Sequence, residues 1–576
     1  MTTYAPPRGS EARTRARALS AVAASRVGLA LAIGATAVYL ALVLAQLNRP
    51  LMYDDANFAL AARAVAETGL PFGNQGWMSE RGDFSQREQW ALWHPPLYIY
   101  ALGAATRLGG WTPPVMRSIG VLGGLATLLL TWLIARDFTR GSPARKQLAA
   151  ALAVALVALC PLVVQSTLIL DIDFALLLPL SLLLLWLYAR LHSTRFTWLW
   201  LTPLFAVLLW AKMTNPLTLA AVLVTWQVLS GHVRRAALQG MAIAAGGVIL
   251  AGVAWLAVGT LLHFPLDMPF GVNLVEAQDS ADVARRAYVS AGAFIEGLQP
   301  TLIWLGPGLV ALGLVGVAMR LAGLAQRWQM RRVDLLIGVS ILLVLLYVNK
   351  SAGWFPKYQV PLAPLLACTA APVLASLWTS RVSAAVLAVS TLAATAITLL
   401  LVRDQWALER TWAIPPTAAA WLLAIVFIAA LVGLLWRAPA ASASVALVGV
   451  ALGWSLGVDV LQVRATYQTD YWYGTSGMQE ATRWINTHLA PEQTYVASKE
   501  VAITSTDTRY VDQDNMVYLL SIGRPLEATW AGEALHAMVI WERDPYIADL
   551  FARNVPSVGF TEVARFGDYV VYVPAS

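Results

Sequence analysis

Apolar stretches of about twenty residues recur through most of this chain, and they constrain its fold more than any other feature. A bilayer core of about 30 Å is crossed by roughly 20 apolar residues in a helix. The first such stretch covers residues 27–47. Others lie near 115–135, 147–165, 174–189, 197–211, 215–230, 238–262, 298–319, 333–348, 359–379, 382–402, 416–436 and 442–462. Composition agrees, with 58% hydrophobic and only 13% charged residues where soluble domains carry about 25% charge. Disorder, a collagen-like repeat and a disulfide scaffold are thereby excluded, since 40 Gly and 29 Pro show no period and Cys160 and Cys368 both sit inside apolar runs. A polytopic membrane protein remains.

Arginines 8, 13, 15, 17 and 26 precede the first stretch. That stretch exceeds the usual apolar core of a signal peptide, so it reads as a retained anchor with residues 1–26 cytoplasmic. Residues 95–110 are interrupted by Arg107 and flanked by Pro and Gly pairs, which suits a surface segment and gives about thirteen spans. Short-loop Lys and Arg mark the cytoplasmic side. With thirteen spans Arg136, Arg140, Arg145, Lys146, Arg190, Arg195, Arg234 and Arg235 all fall inside. The net charge of +7 therefore reads as topology and not as a nucleic-acid surface. The transmembrane domain covers residues 27–462, including outer loops 48–114 and 263–297. Residues 463–576 change in composition, and apolar patches at Thr494 to Ala497, Ala537 to Trp541 and Tyr569 to Val573 predict strands of a small outer α/β domain.

Acids at the ends of apolar spans need a reason, because a charge within the bilayer costs at least roughly 2.5 to 3.5 kcal/mol. Asp54 and Asp55 follow the first span; Asp171 and Asp173 divide the third from the fourth. Adjacent carboxylates favour a shared proton, a bound cation, or a division into base and orienting group. The plainer alternative makes Asp54 or Asp55 the N-cap of a helix from Ala56 to Glu67. Of only five lysines, Lys212, Lys350 and Lys357 lie at or beside outer span ends. They either snorkel at the headgroups or bind an anionic lipid phosphate, to which Arg117 and His94 would contribute. After His94, Pro95 and Pro96 turn the chain into Leu97-Tyr98-Ile99-Tyr100, whose rings suit the membrane interface. No His or Cys cluster has metal-ligand spacing, and no phosphate-binding Gly loop occurs. A divalent cation such as Mg or Mn held by Asp54, Asp55 and Asp173 is compatible with oxygen-only ligation.

Asp54-Asp55, His94-Pro95-Pro96-Leu97-Tyr98, Arg117, Asp173, Lys212 and Lys357-Tyr358-Gln359-Val360-Pro361 occur in an order that resembles the GT-C glycosyltransferases. The resemblance is to glycosyltransferase family 39, which holds the protein O-mannosyltransferases and the lipid A aminoarabinose transferase, and it covers about residues 26–380. It departs from the pattern at Asp55, where many members carry Glu, and at His94, where the aminoarabinose enzymes carry Lys. The resemblance implies a thirteen-span all-α bundle with an outer soluble domain. It also implies transfer of a sugar from a polyprenyl phosphate to an acceptor hydroxyl of a glycan, lipid or protein, usually with inversion, outside a bacterial inner membrane. Asp54 would then be the general base, and Asp55 and Asp173 would orient substrate or hold the cation. Lys212, Lys357, Arg117, His94 and Lys350 would bind the lipid phosphate, and Asp171, Tyr358 and Tyr98 would position substrate.

The rival from another class is a secondary transporter or lipid flippase, which would use the same acids and lysines as an ion path. Convergence of Asp54, Asp173, Lys212 and Lys357 on one cavity discriminates the two. In the tail, Trp472, Trp484, Trp530 and Trp541 suit either sugar stacking or, for most of them, core packing.

Overall fold

A computed structural model describes residues 9–72, 90–92, 94–192, 196–230, 233–267, parts of 305–317, 332–348, 356–379, 475–505, 510–530 and 532–575. The expected spans at 382–402, 416–436 and 442–462, and with them Lys350 and Trp472, lie outside the described residues.

The chain opens with α1 (Gly9–Leu44), followed by α2 (Asp54–Thr68), α3 (Leu97–Gly109), α4 (Pro113–Phe138), α5 (Pro143–Ala158) and α6 (Pro161–Leu168). A π-helical turn at Asp173–Leu177 leads into α7 (Leu178–Leu191), then α8 (Thr197–Ala211), α9 (Asn215–Leu229) and α10 (Val233–Leu262). After these come α11 (Arg332–Val348), a 3-10 turn at Pro356–Gln359, and α12 (Leu362–Thr379). Prolines begin α4, α5 and α6, where a missing N–H costs nothing and φ is already helical.

Among the described residues four helical segments are long and apolar enough to cross a membrane: Arg26–Leu44, Pro113–Phe138, Asp173–Leu191 and Leu238–Leu262. The pair α5 and α6 would make a fifth, bent by 59° at Leu159 and Cys160. The chain is thus a multi-pass membrane protein. Helix α3 has 13 residues, about 20 Å at 1.5 Å per residue, too short to cross.

Close approach by glycine sets the geometry near the acids. On α4, Gly120 faces the Thr167 carbonyl, Gly123 the Ala175 carbonyl and Gly124 the Tyr39 phenol, and an added methyl group would overlap each. Tyr39 and Thr167 share a hydrogen bond of 2.8 Å. Helices α1, α4 and α6 therefore clamp the connection from Leu168 to Asp173. At the other end of α4, Asp137 pairs with Arg190 at 2.6 Å and accepts from Trp186 at 2.9 Å. Twenty residues separate Arg117 from Asp137, so the acidic and basic ends of the bundle lie about 30 Å apart.

The C-terminal region folds as a mixed sheet with helices. Helix α13 (Met478–His488) precedes β1 (Thr494–Ala497), α14 (Lys499–Ala502), β2 (Tyr510–Asp512), α15 (Gln513–Ser521), β3 (Thr529–Trp530), β4 (Glu533–Trp541), α16 (Pro545–Asn554), β5 (Phe560–Phe566) and β6 (Tyr569–Pro574). Strand order is β2-β1-β4-β6-β5, with β3 off β4. Strands β2, β1 and β4 run parallel, and β4, β6 and β5 antiparallel. Trp530 and Trp541 are buried in this domain. Trp530 packs in the domain's own core, and Trp541 in the apolar cluster that continues into the helical bundle.

Candidate active site

Asp54 and Asp55 occupy the first turn of α2, where negative charge complements the helix dipole. The N-cap position is Tyr53, so both acids lie inside the helix and neither is its N-cap residue. Successive helical residues point about 100° apart, and here the two acids go opposite ways. Asp54 remains 43% exposed and lies 3.0 Å from the Lys357 ammonium. Asp55 is fully buried, accepts from the Leu170 amide at 2.8 Å and pairs with Arg117 at 3.3 Å.

Arg117 spends its whole guanidinium on the protein. Its Nε–H donates to the Leu168 carbonyl at 2.7 Å; Nη1 donates to Leu47 and Arg49 carbonyls at 2.7 and 2.5 Å; Nη2 donates to the Pro50 carbonyl at 2.8 Å and to Asp55. All five N–H groups are thereby used, and the side chain is 1% exposed. Where the sequence suggests a lipid phosphate for Arg117 and substrate for Asp55, the structure places Arg117 on backbone carbonyls and Asp55, and Asp55 on Arg117 and the Leu170 amide. The buried Leu168 carbonyl at the end of α6 needs a donor, and Arg117 supplies it together with donors for the part-buried carbonyls of Leu47, Arg49 and Pro50 just after α1.

The remaining charges form one chain. Lys357 reaches Asp171 at 2.7 Å as well as Asp54, and Lys212 reaches Asp173 at 2.8 Å. The Asp173 amide donates to Asp171 at 3.2 Å, which ties the two halves together. Lys212 and Lys357 lie 4.9 and 5.3 Å from the Tyr358 ring centroid, within cation–π range. Asn215 donates to Asp173 at 2.9 Å. Residue-by-residue reading missed Asn215 as a site group, although it begins α9 only three residues after Lys212. Asp171, Asp173, Lys212 and Lys357 are nearly buried, so each charge depends on its partner. The π-helical turn that presents Asp173 is of a kind often found at functional sites.

Tyr98 is buried edge-on against Phe58 of α2, with ring centroids 5.1 Å apart. It braces the helix that carries Asp54. His94 lies half-buried before the turn into α3. From Asp173, Asn215 and Tyr358 a cavity of about 70 Å³ extends between α7, α9, α11 and α12, and leucines such as Leu178, Leu182 and Leu219 make its walls apolar. Among the described residues no group of three or more His, Cys, Asp or Glu side chains is placed to hold a metal. Asp54, Asp55 and Asp173 each turn to a different basic side chain and do not form the oxygen cage a divalent cation requires.

The bundle of apolar helices followed by a mixed-sheet domain has the fold of solved GT-C-type structures. Residues 93–257 match the family described as dolichyl-phosphate-mannose-protein mannosyltransferase. The structure is similar to crystal structures of ArnT from Cupriavidus metallidurans. The form bound to undecaprenyl phosphate matches with a TM-score of 0.57 and 17% identity, covering 95% of this chain and 97% of that one. The apo form gives 0.55 and 18% over the same shares. The apo oligosaccharyltransferase of Archaeoglobus fulgidus gives 0.50 and 11%, covering 89% of this chain and 69% of its own. No curated protein sequence matches the chain.

Proposed function

We propose that this protein transfers a sugar from a polyprenyl-phosphate-linked donor to an acceptor hydroxyl of a glycan, lipid or protein, with inversion, at the outer face of a bacterial cytoplasmic membrane. The reading rests on one observation above all: the partly exposed Asp54 carboxylate is held by a buried lysine whose charge network ends at an apolar cavity. The fold shared with an ArnT bound to undecaprenyl phosphate supports the lipid donor.

In this mechanism the end of the prenyl chain nearest the phosphate enters the mouth of the apolar cavity, and the phosphate approaches Lys212 and Lys357. Asp54 takes the proton of the acceptor hydroxyl as that oxygen bonds to the anomeric carbon. The bond from the anomeric carbon to the phosphate oxygen breaks, and its electron pair leaves with the phosphate. Cations already in place stabilise the charge that develops there, an effect of roughly 2.7 to 4 kcal/mol for one preorganised donor. Asp171, Asp173 and Asn215 aim the two ammonium groups, and the Tyr358 ring lies beside both. Asp55 and Arg117 hold α2 against the end of α6.

The test is sugar transfer by the purified protein, offered a panel of polyprenyl-phosphate sugars and membrane extract as acceptor. Asp54→Asn is expected to lower kcat by about 10² to 10⁴-fold, the range of general base catalysis, with the melting temperature kept. EDTA is expected to leave the rate within about twofold, because the carboxylates are spent on Lys and Arg. Full activity in Asp54→Asn removes it as the base. Transport by the protein in liposomes without any transfer favours the transporter reading.

A further inference from the structure

The C-terminal domain touches the chain at the residue immediately before Asp54. Tyr53 has φ 51° and ψ −115°, a conformation L residues rarely adopt because Cβ crowds the backbone. Something must hold it there. Its amide N–H donates to Glu500 Oε1 at 3.2 Å. Glu500 lies on α14 of the C-terminal domain and is 2% exposed. The Tyr53 ring packs 6.2 Å from that of Trp541, also of this domain.

Two further contacts seat the same segment of the domain. Trp111 Nε1 donates to the Ile503 carbonyl at 3.1 Å, and Arg63 on α2 donates to the Ser505 carbonyl at 3.4 Å. Residues 500–505 thus lie along α2, and Glu500 is the one among these three contacts that reaches the turn carrying Asp54. Burial pushes the Glu500 carboxyl above its usual range. Either protonation state keeps an oxygen that accepts from the Tyr53 amide.

We propose that Glu500 is a positioning residue for Asp54: its carboxyl oxygen fixes the Tyr53 peptide, and the Tyr53 peptide sets where the Asp54 carboxylate points. This rests on the reading of Asp54 as the base. On it the C-terminal domain completes the site. A displacement of about 1 Å at a reacting group costs about 10²-fold in rate, so release of the strained Tyr53 peptide is read in kcat.

The test uses the full chain in detergent, comparing wild type with Glu500→Ala, Glu500→Gln and Trp111→Phe. Hydrogen exchange of peptides spanning residues 48–58 is measured together with kcat and KM. Glu500→Ala is expected to speed exchange at the Tyr53 amide and lower kcat by about 10 to 100-fold. Both KM values should stay within about twofold. Glu500→Gln keeps an accepting oxygen and is expected to restore both readouts. Trp111→Phe loosens docking alone and is expected to keep kcat.

Should Glu500→Ala not fold, Glu500→Asp carries the same test, since it draws the oxygen back by one methylene length. An unchanged kcat or unchanged Tyr53 exchange overturns the proposal. So does a Gln variant as poor as the Ala variant, or an equal loss in Trp111→Phe. If the wild type transfers no sugar while Tyr53 exchange rises with Ala and not with Gln, the hold on Tyr53 stands and the transfer reading falls.

Discussion

The Lys357 ammonium lies 2.7 Å from the Asp171 carboxylate, with 5% and 8% of the two side chains exposed. Charges this dry are kept by each other. Removing one leaves the other uncompensated, at a cost of about 3 to 5 kcal/mol.

Lys357→Met is therefore expected to lose transfer and to lower the melting temperature in detergent. Adding Asp171→Asn is expected to restore most of the stability and none of the transfer. A single variant that melts like wild type would show that the pair carries no such dependence. Transfer regained in the double variant would remove Lys357 from phosphate stabilisation.

Arg117 makes five hydrogen bonds that join the end of α1, α6 and α2. Lysine has the charge but not the planar fork, so Arg117→Lys strands the buried Leu168 carbonyl or the Asp55 carboxylate, at about 1 to 3 kcal/mol. The variant is expected to lose several degrees of melting temperature, while the donor KM of the folded fraction stays within about twofold. A raised donor KM at unchanged stability would return Arg117 to the phosphate.

Asp512 begins α15, where its carboxylate accepts from the Asp514 amide at 3.0 Å. Burial pushes its pKa up to about 7, against about 3.9 in the unfolded chain. The folded state then binds the proton more tightly. The stability this contributes is full below about pH 4 and falls away as pH rises from 4 to 7. Asp512→Asn keeps an N-capping oxygen and has no charge to bury. Its melting temperature is expected to exceed wild type at pH 8 and to match it at pH 4.5. A gap that is the same at both pH values would contradict this.

Several features were legible in sequence because they are local. Apolar length predicts a spanning helix from residues that are neighbours along the chain, and the described helices at Arg26–Leu44, Pro113–Phe138 and Leu238–Leu262 lie where those stretches are. The patches Thr494 to Ala497 and Tyr569 to Val573 became β1 and most of β6. The acids and lysines drew attention through the expense of charge near a bilayer, and Asp54, Asp171, Asp173, Lys212 and Lys357 do come together.

Which cation faces which acid was not legible, because pairing depends on how closely helices approach. Glycines 120, 123 and 124 bring α4 onto α6 and α1, which places Arg117 under Asp55 and turns that acid inward. Asp54, its neighbour in sequence, is left facing outward to Lys357. The hold of Glu500 on Tyr53 spans 447 positions and has no local signature. The amino-acid sequence alone determined the apolar character of the four described spanning helices, the strands and the list of charged groups, since each follows from residues a few positions apart. Only the tertiary structure decided which of those groups are buried in pairs and which stay open to solvent, since burial and pairing are properties of distance in space.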